Sequence, residues 1–545
     1  MAPWEILTRR QIMLTFGGVM LAMFLASLDQ TIVATAMPRI IADLYGFDRY
    51  TWVTTAYLLA STTVVPIVGR LSDIYGRKWF LTVGIIIFLI GSALSGLSQT
   101  MTQLIVLRGV QGIGGGVMMS IALVSIGDLF PPTERGKYQG ILSGVFGLSS
   151  IIGPALGGFV TDTLSWHWVF YINLPLGIPV VFLFIRFFPH VRSSDQTHQI
   201  DYLGMMLLVL SVVPLLLALS WGGSQYPWMS VQVIGFIIFS MVMTVIFIAV
   251  ESRVPEPIIP LSIFRNRIVS VSMVAIFFTG FAMFGTIIFV PLFFQGVLGA
   301  SATNSGTFLT PMMLGVVFGA AVSGQALSRL GGHYHIQSVI GLVIMVAGMF
   351  LLTQMTPDTG YGSAVFSIVL LGVGLGSTFP LFTIAVQNAV DFKFMGVATS
   401  TTQFIRSVGG TMGLAVLGSI MANRFTATFA ESVPTAVKDA LPPGQLDVLG
   451  QNPQALVNPD TLGAVNNAFS QMGPEGAALA VQLLDAVRSA LSGAITEVFM
   501  IGLVGTLIAL AAVTAFLKEV PLEQGGHVLR SPGSEPEEDA AGEDI

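Results

Sequence analysis

The chain is predicted to be an all-α membrane protein that crosses the bilayer many times, and three observations predict it. Of its 545 residues, 53% are hydrophobic and only 10% charged, where a soluble domain carries about 25% charged residues. Apolar runs of spanning length, about 20 residues each, recur fourteen times along the sequence. Lys and Arg gather on alternate connections between those runs.

The runs fall near 11–37, 51–71, 79–98, 101–127, 137–161, 168–187, 202–221, 229–250, 267–294, 305–328, 336–355, 362–390, 396–423 and 493–517. Gly and Pro interrupt many of them, which membrane helices tolerate when neighbours satisfy the freed backbone groups. With the N-terminus placed inside, the inner segments hold sixteen Lys and Arg, from Arg9 and Arg10 to Lys518 and Arg530. The outer segments hold five (Arg39, Arg49, Arg424, Lys438 and Arg488), and Arg108 and Arg406 lie within spans. This bias predicts a multi-pass membrane protein with both termini in the cytoplasm. The first run exceeds the 7–15 residues of a signal-peptide core, so it reads as a retained span.

Composition also excludes. There is no Cys, hence no disulfide or thiol chemistry. The net charge of −6 comes from Glu535, Glu537, Glu538, Asp539, Glu543 and Asp544, which leaves no basic excess for nucleic acid. Gly136-Lys137 is followed by Tyr138 and lacks the upstream glycine of a phosphate-binding loop. No H-E-x-x-H occurs, and the six His sit at loops or span ends. An enzyme is not expected, nor any metal or cofactor. What remains is movement of a solute driven by an ion gradient.

Asp29 is the only charge in the first run. A carboxylate at bilayer depth costs a few kcal/mol, so it needs a partner or a water-filled cavity. At about 1.5 Å per residue, Asp29 lies ~6 Å to the outer side of the middle of span 1, and Arg108 ~9 Å to the outer side of the middle of span 4. Their shared depth predicts an Asp29–Arg108 partnership, direct or through water. The glycines of Arg108-Gly109-Val110-Gln111-Gly112 would let a neighbouring helix approach closely.

Gly69-Arg70-Leu71-Ser72-Asp73-Ile74-Tyr75-Gly76-Arg77-Lys78 joins spans 2 and 3. Asp73 and Arg77 are four apart, the spacing of a helical ion pair, and an acid here can meet the positive N-terminal end of another helix. The segment reads either as a conformational latch or as a basic anchor with a turn. In span 5, Gly140, Gly144, Gly147, Gly153-Pro154 and Gly157-Gly158 make one face flat around a proline kink. That face reads as a hinge between two halves or as close packing. Trp166, His167, Trp168 and Tyr171 fit an interfacial belt. Arg406 reads as satisfied by backbone carbonyls or a neighbour near the inner gate, with a substrate role as the alternative. Trp52, Tyr57, Gln111, Phe284, Gln387 and Glu497 are candidate substrate-cavity residues.

Taken together, the motifs resemble the major facilitator superfamily, in particular its 14-helix drug:proton antiporter branch. Leu28-Asp29-Gln30-Thr31-Ile32-Val33 to Pro38 is similar to the family's span-1 motif, Gly69 to Lys78 to its loop 2–3 motif, and Arg108 to Gly112 to its span-4 motif. Gly153-Pro154-Ala155-Leu156-Gly157-Gly158 is similar to its span-5 antiporter motif. Ser149 stands where that pattern has Gly, His167 where the family often has Arg, and spans 9 to 13 lack the internal acids of some dication exporters.

The resemblance implies a major facilitator fold. Residues 1–190 would form one six-helix bundle, 191–260 two inserted helices, and 261–520 a second bundle with a long outer loop over 424–492. Residues 521–545 would be a disordered acidic tail. It also implies that Asp29 takes the coupling proton with Arg108 as partner, that Gly69, Asp73, Gly76 and Arg77 gate the inner side, and that Gly153 and Pro154 keep exchange obligatory. The expected function is proton-driven export of lipophilic, cationic or neutral drug-like solutes by a monomer among membrane lipids. No sequence feature supports a periplasmic adaptor. Export of a lipid or endogenous metabolite, or a transporter-like sensor, are the alternatives.

Overall fold

The computed structural model describes residues 7–45, 49, 51–188, 200–223, 225–299, 302–329, 333–440, 469 and 474–518. Among them lie fourteen helices long and apolar enough to cross a membrane, and no β-strand. They are α1 (Arg9–Leu44), α2 (Thr51–Tyr75), α3 (Arg77–Ser95), α4 (Met101–Leu129), α5 (Pro132–Thr163), α6 (Asn173–Phe187) and α7 (Tyr202–Trp221). There follow α8 (Val231–Glu251), α9 (Arg267–Gly296), α10 (Ala302–Arg329), α11 (Tyr334–Thr353), α12 (Tyr361–Asn388), α13 (Met395–Ser432) and α14 (Pro474–Phe516). Odd-numbered helices run from the side where α1 begins, called here the Arg9 face, to the opposite Tyr45 face.

Local chemistry marks the helix ends. Thr8 and Gln11 form a reciprocal capping box at the start of α1. Thr100, Asp201 and Ser230 each cap a first turn with a side-chain oxygen, and Pro132 opens α5, where its missing N–H costs nothing. Gly76, at φ 89°, separates α2 from α3 in a conformation that only glycine adopts freely.

Helices α1–α6 pack on one another, with α4 at their centre, and so do α9–α14. The pair α7–α8 packs together and leans on α2 and α13 through Leu59, Ile67 and Phe404. Between the two groups, α5 runs along α10 and α2 meets α13. Large apolar side chains such as Phe182, Val245 and Phe318 point outward, as a lipid-facing surface requires.

The span expected over 168–187 is present as Trp168–Arg186, with the helical turn Trp168–Tyr171 leading into α6 through Ile172. Two segments differ from the sequence-based expectation. Helix α13 continues to Ser432, and α14 begins at Pro474 rather than near 493. Leu483, Ala486, Val487, Ala490 and Leu491 are buried along one stripe, so the amphipathic segment is continuous with the last span. The loop expected over 424–492 is therefore helical at both ends, with a further short helix at Thr435–Ala440. Its middle, 441–468 and 470–473, and the tail from 519 lie outside the described residues.

Candidate functional site

Asp29 is fully buried. Arg108 Nη1 donates to its Oδ2 at 2.6 Å, while Gln111 Nε2 and Asn173 Nδ2 donate to Oδ1 at 2.8 and 3.0 Å. Arg108 also donates to Gln111 Oε1 at 2.8 Å and sits over the Tyr57 ring at 4.3 Å. Asn173 reaches Ser92 Oγ at 2.9 Å. One carboxylate thus joins α1 to α4 and α6 directly, and to α2 and α3 at second hand. The glycines of α4 permit this crowding: Gly112 lies under the Tyr57 carbonyl and Gly116 under that of Ser61. An ion pair removed from water repays desolvation only when its remaining polar positions are filled; both Asp29 oxygens are filled here, while Arg108 Nε is buried without a hydrogen-bond partner.

A second cluster closes the Arg9 face. Arg77 meets Asp73 Oδ1 at 2.6 Å and Asp128 Oδ2 at 2.9 Å, and donates to Ser72 Oγ at 3.2 Å. The Asp73–Arg77 spacing is helical, but the pair spans a break, because Gly76 ends α2 and Arg77 opens α3. Asp73 accepts the N–H groups of Gly396 and Val397 at 3.1 and 2.9 Å, at the positive end of α13. Gly69 abuts Ser400 one turn further along. Arg135 Nη1 donates to Asn388 Oδ1 at 3.1 Å, and the Lys137 N–H to Ser328 Oγ at 3.2 Å. All of these bonds to Gly396, Val397, Asn388 and Ser328 cross between the two helix groups.

The glycine face of α5 divides its work. Gly136 and Gly140 lie against the backbone of Gly324 and Ala320 on α10, in the other group. Beyond the middle of the helix, Gly153 meets Thr31 and Gly157 meets Ile32 and Thr35 on α1. Pro154 stands inside the helix beside this second contact.

Between the two groups lies a cavity of about 110 Å³, lined by Gln30, Met119, Gln139, Phe284, Phe379 and Arg406 among others. It shares Leu58, Phe284 and Thr411 with a larger space of about 400 Å³, which shares Thr55, Ser220 and Leu414 with a wide opening toward the Tyr45 face. The molecule is therefore shut at the Arg9 face and open at the Tyr45 face.

Of the six cavity candidates read from the sequence, Phe284 lines the central space and Trp52 only the outer opening. The other four need correction. Tyr57 and Gln111 point into the Asp29 cluster instead. Gln387 is buried in the closed Arg9 side, donating to Thr399 Oγ1 at 3.1 Å and Leu123 O at 3.4 Å. Glu497 pairs with Arg424 at 2.8 Å, both half-exposed and away from the cavity. Arg406 stands at mid-membrane rather than near the inner end, since eleven residues of α13 precede it, about 17 Å of helix.

Sequence reasoning missed Asn173, Asp128 and the cavity glutamines Gln30, Gln139 and Gln403. Asn173 alone had a visible signal, as an amide opening an apolar run.

A ring of apolar helices around a central cavity, shut at one face and open at the other, is the architecture of a membrane transporter. The family model of the Major Facilitator Superfamily matches residues 19–414, and the chain belongs to that family. It is 40% identical over 531 residues to the "Multidrug transporter protein MdtP" of Bacillus subtilis, covering 94% of each chain. It is also 40% identical over 497 residues to "Multidrug resistance protein 3" of the same organism, covering 91% of this chain and 93% of that one. Among solved structures, the human organic anion transporter MFSD10 superposes with a TM-score of 0.58 at 13% identity, covering 92% of this chain and 100% of that one, a likeness of fold alone.

Proposed function

We propose that the protein is a proton-driven antiporter that exports lipophilic, drug-like compounds across the cytoplasmic membrane. The observation that carries this reading is the Asp29 carboxylate, wholly buried and held by donors from α4 and α6. Adding a proton removes the charge that Arg108, Gln111 and Asn173 are arranged around. A buried guanidinium left without its counter-charge is costly, so the protonated state favours a different packing of α1 against α4 and α6. Gln30 follows Asp29 directly and lines the central cavity, so a shift of α1 reaches the cargo site.

Asp29 itself does not line the cavity. Exchange therefore rests on the two packings of α1, rather than on proton and cargo touching one oxygen. The Asp73–Arg77–Asp128 cluster holds the Arg9 face shut while the cavity is open opposite. With both ends cytoplasmic, that is the state that releases cargo outside. The protein works as a monomer among lipids, with the proton as its coupling ion. The names of its Bacillus subtilis relatives support multidrug cargo.

Reconstitution tests this. In proteoliposomes, a proton gradient should drive accumulation of lipophilic dyes, and Asp29→Asn should abolish it while the protein still inserts. Undiminished flux in Asp29→Asn, or no proton-driven flux of any dye in the wild type, would overturn the proposal. Export confined to a lipid or one endogenous metabolite would favour that narrower reading.

A further inference from the structure

We infer that the central cavity seats lipophilic anions, a carboxylate or similar acid on an apolar body, with Arg406 as the residue that selects them; this rests on the reading that the cavity is the transport site. The sequence led to cationic or neutral cargo, and the cavity lining points to the opposite sign.

Arg406 is the only charged residue lining the central cavity, and neither that cavity nor the two spaces above it is lined by any Asp or Glu among the described residues. Its Nη1 donates to Gln403 Oε1 at 3.3 Å, a long bond within its own helix. Its guanidinium lies over the Phe379 ring at 4.4 Å, and its buried Nε has no hydrogen-bond partner. A planar guanidinium has five donors arranged to meet a carboxylate, and most of them are unused here.

Asp29 does not supply the missing charge. Both of its oxygens are taken by Arg108, Gln111 and Asn173, and it is sealed from the cavity. The two arginines inside spans therefore differ in kind. Arg108 is closed on a carboxylate of the protein, and Arg406 faces the cargo space without one. An incoming acid would complete the second pair through charge-assisted hydrogen bonds. Met23, Met119, Met283, Phe146, Phe284 and Phe379 would cover the apolar body, and methionine adapts to varied shapes. A lipophilic cation would meet an uncompensated positive charge instead.

The test uses three probes on one fluorescent body: 1-pyrenebutyrate, neutral 1-pyrenebutanol, and the cation 4-(1-pyrenyl)butyltrimethylammonium. Binding is measured to full-length protein in lipid nanodiscs without a gradient. The carboxylate should bind about tenfold or more tighter than the cation, and Arg406→Gln should lower that ratio by about tenfold, the size of one charge-assisted hydrogen bond. Gln403→Glu keeps the guanidinium but gives it a carboxylate neighbour, and should lower the ratio as well. This second variant carries the test if melting shows that Arg406→Gln does not fold. A wild type that prefers the cation, or a ratio unmoved in the folded variants, overturns the assignment. Proton-driven flux of the same probes in proteoliposomes separates the two proposals. Anion binding without such flux sinks the antiporter and leaves the cavity assignment standing. Proton-driven flux of the cation, indifferent to both substitutions, sinks the assignment and leaves the antiporter.

Discussion

Gly69 of α2 lies so close to Ser400 of α13 that a Cβ on the glycine would overlap the serine hydroxyl. The contact sits one turn from Asp73, whose carboxylate caps the start of α13. Two helices from different groups therefore close on each other only because one side chain is missing. Gly69→Val should keep the Arg9 face from closing. Overpacking of this kind costs about 1–3 kcal/mol, enough to shift the balance toward the state open at that face. Spin-label distances between the Arg9 ends of α2 and α13 should lengthen and efflux should fall, and unchanged distances would contradict this role.

Arg77 is held between two acids, at 2.6 Å from Asp73 and 2.9 Å from Asp128. Either single change, Asp73→Asn or Asp128→Asn, leaves it one carboxylate. The double variant leaves a buried cation with none, which costs about 3–5 kcal/mol. The loss in thermal stability and in efflux should exceed the sum of the single losses, as coupled neighbours require. Additive losses from a double-mutant cycle would show that the two acids act apart.

Asn173 tests whether the Asp29 cluster acts as a unit. Asn173→Ala removes one donor from Asp29 Oδ1 and the bond to Ser92, and should cost about 1–3 kcal/mol as a lost bond to a charged group. Arg108→Ala should cost more, since it leaves the buried carboxylate unpaired. Melting temperatures should therefore fall in the order wild type, Asn173→Ala, Arg108→Ala, with proton-coupled efflux falling in step. Wild-type coupling in Asn173→Ala would remove that residue from the mechanism.

Glu497 gives the contrary expectation. Its bond to Arg424 joins two half-exposed side chains, and such pairs contribute at most about 1 kcal/mol. Glu497→Gln should leave efflux rates and cargo range at wild-type values in the dye assay. A loss of proton coupling would return this acid to the transport site.

Much of this was legible before any coordinates, and the reason differs by residue. Asp29 stood out because a single carboxylate in an apolar run is conspicuous whatever surrounds it. Arg108 could be matched to it because helical rise converts sequence position into depth. Gly76 and the Asp73–Arg77 spacing marked a turn with a charge pair, and an acid there could be expected to meet the N-terminal end of some helix; that this helix is α13 was not legible. Asp128 and Asn173 escaped because each lies near the end of an apolar run, where a polar residue usually faces water. Glu497 and Gln387 were placed in the cavity because depth alone does not say which way a side chain turns.

The chain by itself determined the number of crossings, the side on which basic residues collect, and the acid and base that share a depth. Each of these follows from one segment weighed against the bilayer. Only the tertiary structure decided which donors fill Asp29, that the flat face of α5 serves α10 at one end and α1 at the other, and that Arg406 looks into the cargo space. Those outcomes depend on how far each helix is turned about its axis. A helix apolar nearly all round carries no stripe to record that turn, so packing against the other helices sets it.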